Sequence, residues 1–194
     1  MFEGRPFTGL VAALAAEPAL AEFDLARAAT LSPETAGALN LESLGAGADG
    51  SLLLGFRSPM PGGRALVVPL RNPVEVIAGR APVFDPPLRP DLGGRGLRAM
   101  ESVGDQLLLV GGHPTRGGDF AFFVWDGGDG VPRRLPAAAP RGFIVEAIVV
   151  DAAAGLSRVL VLSDDDGRRL GGVPCQELKD PLRRQFRGLW LALE

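Results

Sequence analysis

"NLESLGAGADGSLLLGFRSP", residues 40–59, decides the expected fold. An apolar stretch carries one Glu, a turn rich in Gly and Asp follows, and an aliphatic run ends on Arg-Ser-Pro. Similar phrases return as "AMESVGDQLLLVGGHP" at residues 99–114 and "VEAIVVDAAAGLSRVLVLSDDDG" at residues 145–167. Each phrase is typical of two short strands joined by a turn. The repetition indicates an architecture of three similar units.

The length of each unit favours a propeller blade. Glu42 and Glu101 are 59 residues apart, and Glu101 and Glu146 are 45 residues apart. A unit of roughly 40 to 50 residues that holds four short strands is typical of a β-propeller. We therefore predict an all-β fold, a partial β-propeller of about three four-stranded blades, at residues 39–93, 94–139 and 140–194. A β-sandwich of some ten strands is the alternative architecture.

Residues 1–38 have a different composition from the rest of the chain. They are rich in Ala and Leu, which predicts a short helical segment followed by a turn. The stretch "LVAALAAEPALA" at residues 10–21 is interrupted by Glu17 and Pro18, which argues against a secretory signal peptide.

The composition also limits the expected partners. The chain has 194 residues, a formal net charge of -3 and a pI near 5.3, which argues against nucleic acid and anionic membranes as partners. No stretch approaches the roughly 20 uninterrupted apolar residues of a membrane helix. The single cysteine, Cys175, has no partner for an internal disulfide and favours a reducing compartment. We predict a cytoplasmic protein.

The repeated glutamates are candidate metal ligands. The first strand of each propeller blade lines the central channel, so we expect Glu42, Glu101 and Glu146 to point towards a shared axis. With Asn40 as an amide ligand, they could hold a hard cation such as Ca²⁺, which prefers oxygen ligands. The alternative is that each Glu accepts hydrogen bonds from the backbone or from an arginine in a neighbouring blade.

A second set of candidates follows from aligning the strands "LLLGFRSP", "LLLVGGHP" and "VLVLSDDD". The alignment makes Ser58, His113 and Asp165 equivalent, and we expect them to cluster with Arg57 on one rim of the channel. Chemistry by a Ser/His/Asp triad is conceivable there, although no GxSxG elbow accompanies it.

The arginines allow two interpretations. Arg57, Arg98 and the cluster of Arg183, Arg184 and Arg187 could bind an anionic ligand, because the guanidinium fork matches carboxylate or phosphate. Alternatively, they tie the blades together through carboxylates such as those of Glu42 or Glu101.

Four phrases carry a family resemblance: "NLESLGAGADGSLLLGFRSP", "RALVVPLRNPVEV", "DLGGRGLRAMES" and "CQELKDPLRRQFRGLWLALE". Over nearly the whole chain they resemble the bacterial domain-of-unknown-function family 3616, which implies a β-propeller. Leu41, Glu42, Ser43 and Leu44 stand where the family pattern reads Ile-Glu-Gly-Leu.

The resemblance also concerns quaternary structure. Family members are usually longer at the N-terminus, so this chain is similar to the C-terminal half of a propeller. A half propeller leaves apolar sheet faces uncovered, and we therefore expect a two-fold homodimer or a complex with another chain that completes the ring.

For function, these observations favour a non-enzymatic module that binds a protein or a small ligand at the channel rim. The alternative is a calcium-assisted hydrolase of a phosphoester or lactone, in which the three glutamates surround a cation that activates water.

Overall fold

The computed structural model describes residues 6–115, 118–128, 130–151 and 153–193. This part of the chain is mostly β, with three antiparallel sheets and one small hairpin. The predicted all-β class is confirmed at this level. Within the same ranges, no helix is both long and apolar enough to cross a membrane.

Three short helices precede the sheets: α1 (Leu10–Ala16), a 3-10 helix (Pro18–Phe23) and α2 (Leu25–Ala28). Pro18 begins the 3-10 helix because a proline, which has no N–H, is tolerated in the first turn of a helix but not in its interior. The helical segment expected from the Ala-rich composition is therefore present, in three pieces.

The first sheet has three strands in sequence order: β1 (Asn40–Ala46), β2 (Leu52–Ser58) and β3 (Leu66–Leu70). A one-turn 3-10 helix, Pro61–Gly63, separates β2 from β3, and a short helix, α3 (Pro73–Ile77), follows β3. The proline-rich stretch beyond α3 returns beside β3 through isolated bridges at Phe84 and Leu88. It occupies the edge of the sheet, where a missing proline N–H removes no ladder bond.

The second sheet is a four-stranded meander: β4 (Gly96–Val103), β5 (Gln106–Gly112), β6 (Ala121–Trp125) and β7 (Arg133–Arg134). Only Gly104 and Asp105 separate β4 from β5. Gly104 has a φ of 58°, a conformation that favours glycine in so short a turn.

The third sheet begins with β8 (Val145–Val150) and β9 (Arg158–Ser163), which a one-turn 3-10 helix (Gly155–Ser157) separates. A hairpin of β10 (Arg169–Leu170) and β11 (Val173–Pro174) follows, with two 3-10 helices at Cys175–Glu177 and Pro181–Arg183. The last strand, β12 (Gly188–Ala192), then pairs with β9, which makes the order β12-β9-β8.

The apolar core lies between successive layers. One buried cluster joins the N-terminal helices to the first sheet, a second joins the first and second sheets, and a third joins the second and third sheets. The first strands also meet, since β1 contacts β4 and β4 contacts β8. Side chains that leave these three strands on the same side are therefore brought together.

Candidate functional site

A bulge interrupts the first strand of every sheet at a corresponding place. Glu42 in β1, Arg98 in β4 and Glu146 in β8 are each skipped by the ladder to the second strand. A bulge re-aims a side chain and is common near functional sites. The three polar residues thus occupy equivalent positions, and they recur after 56 and 48 residues, a more even spacing than that of the three glutamates.

The bulged residues form a chain of ion pairs across the three sheets. Glu42 binds two arginines, with Oε1 2.9 Å from Nη1 of Arg57 and Oε2 2.9 Å from Nη1 of Arg98. Nη2 of Arg98 lies 3.4 Å from Oε2 of Glu146. Asn40 adds a hydrogen bond, its Nδ2 donating to Oε1 of Glu42 over 2.9 Å. These contacts agree with the interpretation that the arginines tie neighbouring sheets together through carboxylates such as that of Glu42.

The two arginines are buried, and the carboxylates are less so. The side chains of Arg57 and Arg98 are 4% and 8% exposed, against 20% for Glu42 and 59% for Glu146. A buried charge is costly unless it is paired, so Glu42, which reaches both guanidiniums, is the main compensating charge. Arg57 also donates from Nε to the backbone oxygen of His113 over 3.0 Å.

Burial shifts the pKa of two residues in this series of ion pairs, Arg98 and Glu146. It lowers the pKa of the Arg98 guanidinium, and the neighbouring carboxylate of Glu42 opposes the shift. Arg98 stays cationic at neutral pH because the guanidinium group of arginine is too basic to lose its proton in a protein. Desolvation raises the pKa of Glu146, with Arg98 acting in the opposite direction. Because more than half of the Glu146 side chain is exposed, its carboxyl group is only partly desolvated.

A cavity of about 500 Å³ opens beside these arginines. Its lining comes from strands of the first two sheets and from loops beside all three sheets, and includes Arg57, Arg98, His113, Phe120, Asp164 and Asp166. The guanidinium carbon of Arg98 lies 5.8 Å from the centre of the Phe120 ring, within the range of a cation–π contact. The cavity therefore combines two buried cations with aromatic surface and exposed carboxylates.

The residues predicted to share a channel rim are only partly brought together at the cavity. Arg57 and His113 line it, whereas Ser58 and Asp165 are buried and are not part of its described lining. Asp165 is held by a bidentate pair, with Nε and Nη2 of Arg187 at 2.8 and 2.7 Å from its two oxygens. These contacts make Asp165 an internal anchor of the third sheet.

His113 has a local partner in its own loop. Its Nδ1 accepts a hydrogen bond from the backbone N–H of Thr115 over 3.2 Å and lies 2.9 Å from the Thr115 hydroxyl oxygen. Asp165 is bound to Arg187 and to the Ser163 hydroxyl instead. The contacts of these residues are therefore not those of a Ser/His/Asp triad, in which the carboxylate orients the imidazole.

Glu101 does not join the ion-pair chain. It lies in β4 opposite Leu108, three residues beyond the bulged Arg98. In the described ranges, no group of three or more His, Cys, Asp or Glu side chains is placed to hold a metal ion. The calcium site predicted on Glu42, Glu101, Glu146 and Asn40 stays a prediction that this geometry does not support, because the carboxylate of Glu42 is occupied by two arginines.

The remaining candidates have structural contacts. Arg184 donates from Nη2 to the backbone oxygen of Leu178 over 3.1 Å, and the buried thiol of Cys175 donates to the backbone oxygen of Gln185 over 3.4 Å. These bonds fix the segment between β11 and β12.

No protein-family model matches the chain, and no curated protein or solved structure shows significant similarity to it. The resemblance to family 3616 accordingly stays a prediction, and the functional assignment rests on the geometry of this chain.

Proposed function

We propose that the three sheets are successive blades of a partial β-propeller, and that the chain is a non-enzymatic module that binds a small ligand where the first strands meet. Three features support the blade arrangement. Each sheet draws its strands from one of the three ranges predicted as blades, the first strands contact one another in order, and a bulge recurs at the same place in each of them.

One observation carries the binding assignment: two buried arginines line an open cavity of about 500 Å³, and Nε of Arg98 has no hydrogen-bond acceptor among the described residues. A buried donor left without a partner costs about 1–3 kcal/mol, and more for a charged group. A protein that keeps such a group beside a cavity gains stability when a ligand supplies the acceptor. Ligand pockets are usually clefts of roughly this size with a few convergent polar groups.

The contacts favour binding over hydrolysis. A metal-assisted hydrolase requires carboxylates that are available to a cation, yet Glu42 is already shared by Arg57 and Arg98. Nucleophilic catalysis requires a free base next to a nucleophile, yet Nδ1 of His113 is engaged by Thr115 and Ser58 lies buried in the β1–β2 ladder.

The experiment uses the only histidine of the chain as a reporter. His113 lines the cavity, so the ring protons of its imidazole give one NMR signal set at the site. We expect at least one class in a small library of anions, cations and zwitterions to shift these signals saturably. Replacing the buried Arg98 (Arg98→Met) should abolish the shift, whereas replacing the exposed Arg158 (Arg158→Met) should leave it unchanged. A library that never moves the His113 signals contradicts the proposal.

We also propose that the expected two-fold association uses one face only. The N-terminal helices cover the outer face of the first sheet, so two copies are not free to close a ring through both end sheets. The outer face of the third sheet remains, with Val149 and Trp190 about half exposed. Light scattering should then give a mass near twice the 20.3 kDa of one chain. A monomer at all concentrations contradicts this association but leaves the binding site untouched.

A further inference from the structure

The charges around the cavity are arranged in two layers. The buried layer holds two cations, Arg57 and Arg98, and the mostly buried carboxylate of Glu42, which both cations share. The outer layer holds the exposed carboxylates of Glu146, Asp164 and Asp166, together with that of Glu34, whose side chain is 39% exposed. Charges of opposite sign thus face a ligand at the two depths of the same site.

The inner layer has an incompletely paired edge on Arg98, whose Nε is buried. In Arg187 the edge formed by Nε and Nη2 holds the carboxylate of Asp165 bidentately, at 2.8 and 2.7 Å. In Arg98, Nε has no acceptor among the described residues and Nη2 makes one long contact of 3.4 Å to Glu146. The Glu146 side chain is more than half exposed and can rotate into solvent. A ligand carboxylate then matches this edge as Asp165 matches Arg187.

The outer layer favours a cation. Asp164 and Asp166 lie just after β9, and both are exposed and line the cavity. The backbone N–H of Asp166 donates to Oδ1 of Asp164 over 2.9 Å, which holds that carboxylate in place at the cavity. An ammonium or guanidinium group near these residues is attracted by both carboxylates and by Glu146, whose partial desolvation strengthens the interaction.

A ligand with a single charge satisfies only one layer. A simple anion passes the outer carboxylates before it reaches Arg98. A simple cation is attracted by the outer layer but leaves Nε of Arg98 without an acceptor. On the basis of the binding function proposed above, we propose that the cavity binds a zwitterion of the basic amino acid class, with its carboxylate on Arg98 and its side-chain cation at Asp164 and Asp166. Its long side chain separates the two charges, and a cavity of about 500 Å³ accommodates such a molecule.

Three related probes test the class: L-arginine, agmatine, which lacks the carboxylate, and L-citrulline, which lacks the side-chain charge. We expect the His113 signals to shift with L-arginine at a dissociation constant about tenfold or more below that of either analogue, the scale of one strong polar contact. Added salt should weaken L-arginine binding, because the outer carboxylates are exposed.

Variants separate the two ends of the ligand. Asp164→Asn should weaken L-arginine binding about tenfold and leave L-citrulline binding unchanged. Arg98→Met should remove the preference for L-arginine over agmatine. If Arg98→Met does not fold, the Asp164→Asn result still decides, because that carboxylate is exposed. Glu75→Gln, an exposed change on α3, serves as the matched control for a lost carboxylate charge.

The outcomes distinguish this inference from the function on which it rests. Equal affinity for L-arginine and agmatine, or for L-arginine and L-citrulline, overturns the zwitterion class and leaves the cavity a binding site. A shift of the His113 signals by another ligand class alone has the same meaning. If no compound of the whole library shifts these signals, both the class and the binding function are wrong.

Discussion

The outer faces of the first and third sheets have the same apolar character but different surroundings. Leu54, Phe56 and Val68 of the first sheet are buried beneath Leu20 and Phe23 of the N-terminal helices. In the third sheet, Val149, Leu160 and Trp190 lie side by side across three strands. Val149 is 49% exposed and Trp190 is 48% exposed.

The comparison shows that the strand pattern does not decide which face is buried. Both sheets present aliphatic residues on both faces. A separate segment of the chain, the N-terminal helices, determines which outer face is shielded from solvent. Arg158 partly shields the third sheet, its guanidinium carbon lying 4.8 Å from the centre of the Trp190 ring. A single cation–π contact adds only about 0.5–1 kcal/mol at an exposed site, far less than the burial of a helix layer.

The largest expected effect comes from removing part of the helix layer. Phe23→Ala deletes a buried ring between the helices and the first sheet, and we expect a loss of about 3–5 kcal/mol in the free energy of unfolding. Phe186→Ala removes an exposed ring near the third sheet and should cost less than about 1 kcal/mol. Urea unfolding measures both. Equal losses would mean that the two regions are covered to the same degree in solution.

The next effect compares the two bulged glutamates. Glu42→Gln leaves Arg57 and Arg98 without a shared countercharge, and we expect it to lower the free energy of unfolding by about 2–3 kcal/mol. The cost is below that of breaking a fully buried ion pair because one fifth of the Glu42 side chain is exposed to solvent. Glu146→Gln removes one long contact of a mostly exposed side chain and should change stability by no more than about 0.5 kcal/mol. Chemical denaturation at neutral pH is sufficient, and the reverse ranking would contradict Glu42 as the central countercharge.

A pH effect belongs to the third sheet. The Arg187 guanidinium holds the pKa of the Asp165 carboxyl below its usual range, with the Ser163 hydroxyl contributing. A lowered folded-state pKa contributes stability that is present above the ordinary value of about 4 and is lost as the pH falls through the folded value. Asp165→Asn should therefore lower stability at neutral pH, by about 1–3 kcal/mol, and flatten its decline below about pH 4.

The unfolding midpoint as a function of pH checks this sign. Arg187→Met removes the other half of the pair and should flatten the acid decline in the same window. A wild-type slope retained in both variants would mean that the pair does not couple folding to protonation.

The smallest effect sharpens the comparison of the outer faces directly. Val68→Thr buries a hydroxyl group beneath the N-terminal helices and should cost about 1–3 kcal/mol. Val149→Thr makes the same chemical change on a face that is half exposed in a single chain, and should cost no more than about 0.5 kcal/mol at concentrations where the protein is a monomer. If two copies associate through this face as proposed, Val149→Thr also lowers the mass measured by light scattering, and an unchanged mass would contradict that interface.

Much of the β structure could be predicted because the strand signal is local. The phrases ending in "GFRSP", "VGGHP" and "VLSDDD" contain β2, β5 and β9, since aliphatic runs bounded by Gly, Pro and Asp favour short strands. The tail "RRQFRGLWLALE" also supplies the strand expected there, β12. The pairing partner of β12 could not be predicted from the sequence. Its partner β9 lies about 25 residues earlier, and their pairing depends on how the intervening hairpin folds back.

The candidate site could be predicted only in part. Alignment on the glutamates pairs Glu101 with Glu42 and Glu146, but the structural equivalent of these residues is Arg98. The turns explain the error: two residues connect β4 to β5, five connect β1 to β2, and seven connect β8 to β9. The second strands, β2, β5 and β9, align well in sequence. Counting back from them along the chain places the residue equivalent to Glu42 in β4 closer to Arg98 than to Glu101.

The local pattern of this chain specifies short strands, glycine turns and a helical N-terminal segment, because backbone propensity and side-chain alternation act over a few residues. The tertiary structure decides which outer face the helices cover, where the strands bulge, and that Glu42, Arg98 and Glu146 become neighbours. Those outcomes depend on contacts between residues about 50 positions apart, whose free energy is realised only when the sheets have packed together.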